Sequence, residues 1–352
     1  MEDRIKSYLQ FRMPQTEDLH ITRIERQPWG NSKETVLVDA EWKENGRQVS
    51  RGFCFRIELR GSVVESPGEH EFRVMKALES SLVPVPKQYW LETDEKWLGR
   101  RFFVMEKVVG DMDTGMITDP ETRRRMMKLY LEVLAHQHNA DWEKLGLSWM
   151  GAPKEPLNSA AMVIGELEAS YNRNRLEPHP ILVEVFTWLK NNEPMQVECI
   201  SLIHGDPGPG NFIVNQGKIV AVHDWEMSHL GDPMDDLGWL CWREAVTGGV
   251  VDRGEILRYY QDVSGIKVNE ESVHYYEIIA NVKAAICCIT GGRAFCDGRN
   301  LNLVMASVGL GGGWSLFARS RFHARILITG RDVSSRISST LWIICSETGI
   351  SP

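Results

Sequence analysis

The stretch that decides the fold reads His204-Gly205-Asp206-Pro207-Gly208-Pro209-Gly210-Asn211-Phe212-Ile213-Val214-Asn215-Gln216-Gly217-Lys218-Ile219-Val220-Ala221-Val222-His223-Asp224-Trp225-Glu226. Two short apolar runs, Phe212 to Asn215 and Lys218 to His223, flank the tight pair Gln216-Gly217, which signals a β-hairpin. Pairing Asn215 with Lys218 sets the register and places Asn211 opposite about Val222. Asn211 and Asp224 then leave the hairpin at the same end. The Gly- and Pro-rich loop ahead of Asn211 bends Asp206 back towards that end.

Two carboxylates and an amide converging on one loop mouth are hard oxygen donors, the kind Mg²⁺ takes when substrate phosphates complete its octahedron. Phosphoryl transfer uses such a set: one Asp accepts the hydroxyl proton while an Asn and a second Asp hold the metal. A His-x-Asp-x-x-x-x-Asn match is only suggestive alone. The hairpin and the downstream Asp224 make it strong.

Working outward, residues 19 to 110 read mostly as strands. Leu19 to Ile24 alternates, a turn at Trp29-Gly30-Asn31-Ser32 follows, and Thr35 to Ala40 resumes the β-rich pattern. Asn45-Gly46 marks a hairpin loop, and Gly52 to Ile57 is the next strand. Glu69 to Leu82 switches to helical period, with Phe72, Met75 and Leu78 on one stripe, and Pro84 and Pro86 stop it. Strands at Gln88 to Leu91 and Arg101 to Val109 complete a small sheet carrying one helix. From Gly110 the pattern is helical. Asp119-Pro120-Glu121 opens a helix with Met127, Leu131, Leu134 and His138 on one face, and further helices cover about 159 to 174 and 181 to 191. The β interlude quoted above interrupts this region, and helices resume at Asp232-Pro233.

Composition bounds the function classes. With 352 residues, 43% apolar and 25% charged, the chain is globular rather than fibrous or disordered, and its length suits two lobes. A net charge of −8 gives no global basic field for nucleic acid or anionic lipid. Seven cysteines form an odd set without zinc spacing, and the N-terminal residues lack the order of a secretory signal, so a reduced, cytoplasmic setting is expected. The most membrane-like run, Leu303 to Ala318, is too short to span a bilayer and is broken by Gly311-Gly312-Gly313.

His204-Gly-Asp206-x4-Asn211, then Asp224-Trp225-Glu226, then Gly231-Asp232-Pro233-x-x-Asp236-Leu237, resembles the aminoglycoside phosphotransferase-type kinases of the phosphotransferase enzyme family, relatives of choline kinases and protein kinases. Asp232 to Leu240 looks most like the branch that includes kinase-like domains fused to acyl-CoA dehydrogenases. The resemblance spans roughly residues 15 to 320 and implies an α+β, two-lobed protein-kinase-like fold. An N-terminal lobe (1–106) of antiparallel sheet plus helix would bind the nucleotide. A mainly helical C-terminal lobe (107–352) would hold the catalytic loop and the acceptor.

The resemblance also implies roles. Asp206 would orient and deprotonate an acceptor hydroxyl. Asn211 and Asp224 would ligate Mg²⁺. Arg56, ion-paired to Glu71, would hold the phosphates of ATP or GTP, with Gly30 and Ser32 covering them and Glu106 to Val108 offering main-chain hydrogen bonds to the base. Asp236 and His204 would support the catalytic loop. Two departures stand out: the nucleotide loop has one glycine and carries Lys33, and Pro207-Gly208-Pro209 replaces the Leu-His-Pro of many relatives.

Each role has a plainer structural counterpart. Asp206 can be a turn residue capping its own loop, Arg56 an ordinary strand arginine and Glu71 an acid favoured in a first helical turn. His204, His138 and His223 read as structural, and Trp239 and Trp242 as core.

The acceptor stays open. Glu226, Asp235 and Glu244 suit an amino sugar, whereas Arg243, Lys283, Arg293 and Arg299 with Trp239, Tyr275 and Tyr276 suit a hydroxyacyl-CoA or another anionic metabolite. A non-catalytic, nucleotide-binding pseudokinase is the remaining alternative. Nucleotide and a small hydroxyl acceptor are the expected partners, with no nucleic acid and no membrane.

Overall fold

The computed structural model describes residues 1–27, 32–112, 119–307 and 309. Helix α1 (Glu2–Arg12) leads into strands β1 (Glu17–Arg26), β2 (Lys33–Glu44) and β3 (Arg47–Glu58). Helix α2 (Gly68–Leu78), β4 (Gln88–Glu92) and β5 (Phe102–Glu106) follow. The five strands form an antiparallel sheet in the order β1-β2-β3-β5-β4. Asn45 and Gly46 turn the chain between β2 and β3 with φ of 51° and 73°, which is what a two-residue hairpin of this twist requires.

Period two decides what each face of this sheet carries. Phe53, Phe55 and Ile57 of β3, with Val36 and Val38 of β2, face α1, which covers them with Ile5, Tyr8 and Leu9. Tyr8 meets Phe102 edge-on at 4.8 Å. Helix α1 escapes the sequence reading because it carries only a few apolar residues in a polar segment. On the opposite face Cys54 joins Val74, Met75 and Leu78 of α2 and the core of the helical region. Thr35 pairs with Arg56, so Lys33, Thr35, Cys54 and Arg56 all point to that second face.

The expected strand to Val109 is shorter. β5 ends at Glu106, and the chain crosses to a second sheet through β6 (Asp111–Met112), which pairs with β8 (Phe212–Asn215). Gly110 makes the crossing possible, because a Cβ there would lie 2.6 Å from the Val214 carbonyl oxygen.

The helical part contains α3 (Pro120–His138), α4 (Ser159–Asn174) and α5 (Pro180–Asn191). Asp119 caps α3 by accepting the Thr122 N–H at 2.8 Å. The short strands β7 (Ser201–Ile203), β8, β9 (Lys218–Val222) and β10 (His229–Gly231) precede α6 (Met234–Val246), α7 (Arg253–Ser264), α8 (Glu270–Cys296) and α9 (Leu303–Ser307). The β8–β9 hairpin forms as expected, with Asn215 opposite Lys218, but an irregularity between Ile213 and Val214 shifts the register by one. Asn211 consequently faces His223, whose N–H it accepts at 3.0 Å, rather than Val222.

Helix α8, 27 residues, is long and apolar enough to cross a membrane by length and composition, yet 56% of that apolar window is buried inside the protein, where it packs on α6 and α4. Of Leu303 to Ala318, residues 308 and 310–318 lie outside the described set. The six described cysteines are free.

Candidate active site

The loop from His204 to Asn211 starts where β7 ends, and Asp236 in the first turn of α6 holds it. Asp236 accepts the His204 and Gly205 N–H groups at 2.8 Å each, and also Gln137 Nε2 at 2.9 Å and His138 Nε2 at 3.0 Å. Burial raises its pKa, but the bond and charge of His138 and the backbone of His204 outweigh this and hold it well below the usual carboxylate range. Gly205, at φ 85°, has no room for a side chain because a Cβ would collide with the Met227 carbonyl. The His204 ring lies against Trp225 at 4.6 Å and bonds the His223 carbonyl through Nε2 at 3.1 Å while Nδ1 accepts the Asp206 N–H at 3.3 Å. His204 thus ties the loop to the strand bearing Asp224. Burial pushes the His223 imidazole down to about 4, so it is neutral.

Asp206 accepts Arg243 Nη1 on Oδ1 at 2.6 Å. Burial raises its pKa, with Arg243 opposing. Asn211 donates its Nδ2 to the Asp206 carbonyl at 2.7 Å, spanning the loop and leaving Oδ1 as its remaining coordinating atom. Asp224 takes a left-handed conformation, φ 68°, which Asp tolerates better than most residues, and a short 3₁₀ turn (Trp225–Met227) follows. Its Oδ1 lies 3.3 Å from Arg56 Nη2. Burial alone would raise the Asp224 pKa, but the charges of Arg56 and Lys33 hold it below the ordinary value.

Arg56 and Glu71 come together as expected, at 3.6 Å, and Thr35 Oγ1 steadies the guanidinium at 2.9 Å. A second cation is present that the sequence reading left in the nucleotide loop. Lys33, only 2% exposed, reaches the other oxygen of Glu71 at 3.3 Å and Glu226 at 2.6 Å. Its signal was available: counting back by twos from Thr35 puts Lys33 on the face of Arg56. Burial pushes Glu226 up to about 7, reinforced by the Asp224 charge and opposed by Lys33. One oxygen from each of Glu71, Asp224 and Glu226 lies within 4.8 Å of the others.

Several residues expected in the acceptor pocket stand elsewhere. Glu226 belongs to the Lys33 cluster, because the turn after Asp224 swings it towards the sheet. Tyr276 is core, 1% exposed and pressed against Gly238 of α6. Trp239 packs against Trp242 with ring centroids 5.1 Å apart, near Lys283, whose ammonium is taken by Asp235 at 2.7 Å. Glu244 is buried and held by Arg123 at 2.6 Å. Of that set, Arg243 alone touches Asp206 in the described residues.

Ser32 precedes β2, partly buried, and Gly30 lies outside the described residues. The Glu106 and Lys107 N–H groups are used in bonds to the Lys87 and Gly52 carbonyls, and Val108 follows at the crossing between sheets.

A cavity of about 1090 Å³ opens between α5, α6, α7 and α8, lined in part by Trp188, Glu244, Arg253 and Tyr275. No catalytic-loop residue lines it.

An antiparallel sheet with one helix, joined to a helical lobe that presents Asp206, Asn211 and Asp224 on a braced loop and hairpin, is the architecture of the protein-kinase-like fold. A sequence model of the phosphotransferase enzyme family matches residues 26–268, and the chain belongs to that family. It is 28% identical over 238 residues to acyl-CoA dehydrogenase family member 11 of Rattus norvegicus, covering 64% of this chain and 30% of that protein. The chain therefore spans under a third of that relative's length. In structure it is similar to a macrolide 2′-phosphotransferase of type I, with a TM-score of 0.58 and 15% identity over 86% of this chain and 95% of that one. A thermostable aminoglycoside phosphotransferase in ternary complex with ADP and hygromycin B gives a TM-score of 0.50 and 15% identity over 87% and 99%.

Proposed function

We propose that this chain moves the γ-phosphoryl group of ATP or GTP to a hydroxyl of a small molecule with the help of Mg²⁺. The observation that carries the reading is the union of Asp206, Asn211 and Asp224 at one hairpin end, facing Arg56 on the sheet. We take residues 1–106 as the nucleotide lobe and 107–352 as the acceptor lobe.

Asn211 Oδ1 and the Asp224 carboxylate are the hard donors that suit Mg²⁺ and would hold it. Bound there, the ion would neutralise charge on the phosphates during transfer. Arg56, anchored by Thr35 and Glu71, is placed to exchange its contact with Asp224 for phosphate oxygens. Asp206 orients the acceptor hydroxyl and receives its proton. Such base assistance is worth about 10² to 10⁴-fold, and positioning with charge neutralisation supplies the rest.

The intact triad favours an enzyme over a pseudokinase. For the acceptor, the acids once assigned to amino-sugar recognition are internally paired: Glu226 with Lys33, Asp235 with Lys283, Glu244 with Arg123. A guanidinium sits at the base instead, which disfavours a polycationic acceptor and supports a neutral or anionic metabolite, hydroxyacyl-CoA among them.

Asp206→Ala is expected to lower phosphotransfer by about 10² to 10⁴-fold while leaving Mg²⁺-nucleotide binding nearly intact by calorimetry. ATP and GTP consumption would be followed over a panel of aminoglycosides, macrolides, choline-like alcohols and hydroxyacyl-CoAs. Full activity of the variant would remove Asp206 from its role, and failure of the wild-type chain to bind Mg²⁺-nucleotide would revive the pseudokinase.

A further inference from the structure

The loop Pro207-Gly208-Pro209-Gly210 follows the catalytic carboxylate with two rings and two hydrogens, so it has no side chain able to grip Asp206. The grip comes from elsewhere. Arg243, in the third turn of α6, places Nη1 2.6 Å from Asp206 Oδ1. The loop's glycines lie along its side chain. A Cβ at Gly208 would lie 3.1 Å from Leu240 Cδ1 and 3.7 Å from Arg243 Cδ, and one at Gly210 would lie 3.5 Å from Arg243 Nη2. Both glycines also have positive φ, 118° and 96°, a conformation most side chains resist.

We propose that Arg243 is the positioning residue for the catalytic carboxylate: it pins Asp206 Oδ1 so that Oδ2 is presented to the acceptor hydroxyl. The inference rests on the phosphotransfer reading above. The same helix braces the loop twice. Asp236, two turns earlier, holds its beginning through the His204 and Gly205 N–H groups, and Arg243 holds its chemical end. A guanidinium suits this task better than an ammonium, because its planar fork fixes a direction and not only a charge. It lowers the basicity of Asp206, a modest loss where the transition state is loose and the proton leaves late. Orientation is the larger contribution, since a displacement of about 1 Å can cost about 10²-fold.

The test uses the full chain with Arg243→Met, which keeps the packing under the glycines without the charge, Arg243→Lys, Asp206→Ala and the double variant Asp206→Ala/Arg243→Met. Phosphotransfer from Mg²⁺-ATP to the best panel acceptor, hydrolysis without acceptor and thermal unfolding are measured for each. Arg243→Met is expected to lower kcat by about 10 to 100-fold with the KM for ATP unchanged. Arg243→Lys should fall between it and the wild type. Low concentrations of free guanidinium should partly restore Arg243→Met but not Asp206→Ala. In the Asp206→Ala background, Arg243→Met should cause no further loss, because its effect passes through that carboxylate.

Wild-type kcat in Arg243→Met, or a loss that multiplies in full with that of Asp206→Ala, would overturn the proposal. A rise confined to the KM for ATP would do so too, as would equal losses in Arg243→Met and Arg243→Lys matched by equal drops in melting temperature. A wild-type chain that neither binds nor consumes Mg²⁺-ATP removes the phosphotransfer reading itself, an outcome distinct from a working enzyme indifferent to Arg243.

Discussion

Lys33 is the residue on which the charge balance beside Arg56 and Glu71 most depends. Its ammonium, enclosed with Glu71 and Glu226, supplies counter-charge to both carboxylates and opposes the rise that burial imposes on Glu226. Lys33→Met would leave Glu226 without its counter-charge and Glu71 with Arg56 alone, and breaking a buried pair in this way typically costs about 3 to 5 kcal/mol. Urea unfolding should record a loss of this order, and the double variant Lys33→Met/Glu226→Leu should regain part of it. An unchanged midpoint in the single variant would show that the cluster contributes little. At this scale the reading of the sequence was uneven. Asp206, Asn211 and Asp224 stood out because their spacing on a loop and hairpin is a local pattern. Glu226, two residues beyond, was misassigned because a left-handed Asp224 and a single 3₁₀ turn decide which way it faces.

Helix α6 is the element that joins structure to chemistry, presenting Asp236 and Arg243 to the catalytic loop and Gly238 to α8. A Cβ on Gly238 would stand 2.6 Å from Tyr276 Cβ and 2.7 Å from the Tyr276 carbonyl carbon. Since backbone lies in the way, Gly238→Ala must push α6 from α8, and overpacking of this kind costs about 1 to 3 kcal/mol, occasionally more. Because the displaced helix carries both loop braces, phosphotransfer should fall more than the loss of folded protein explains. A variant with lowered melting temperature but wild-type kcat would show that the braces tolerate the shift. The strands and most helices were legible from periods of two and 3.6 and from turn residues. Two features were not: α1, whose apolar face is too short to stand out, and the β8–β9 irregularity, which adds a residue without any composition signal.

For the whole molecule, a net charge of −8 says little about what binds, because the acids and bases nearest the site neutralise one another across it. Lys33 and Arg56 on the sheet meet Glu226 and Asp224 beyond the hairpin, so two ion pairs link the two halves of the chain. Mg²⁺-ATP at about a hundred times its Kd should raise folding stability by about 2.7 kcal/mol, read as a higher melting temperature. Chelating the metal should remove most of that gain if Asn211 and Asp224 hold it, and a gain untouched by chelation would show that the metal ligands lie elsewhere. The sequence by itself determined the sheet-then-helix order, the hairpin and the residues that perform the proposed chemistry, since periodicity, turn type and motif spacing are properties of neighbouring residues. Which charges remain available follows from the folded arrangement instead. Each is set by a partner tens to nearly two hundred residues away, as Lys33 is for Glu226 and Arg243 for Asp206, and the strength of a charge pair depends on distance and burial that no local pattern records.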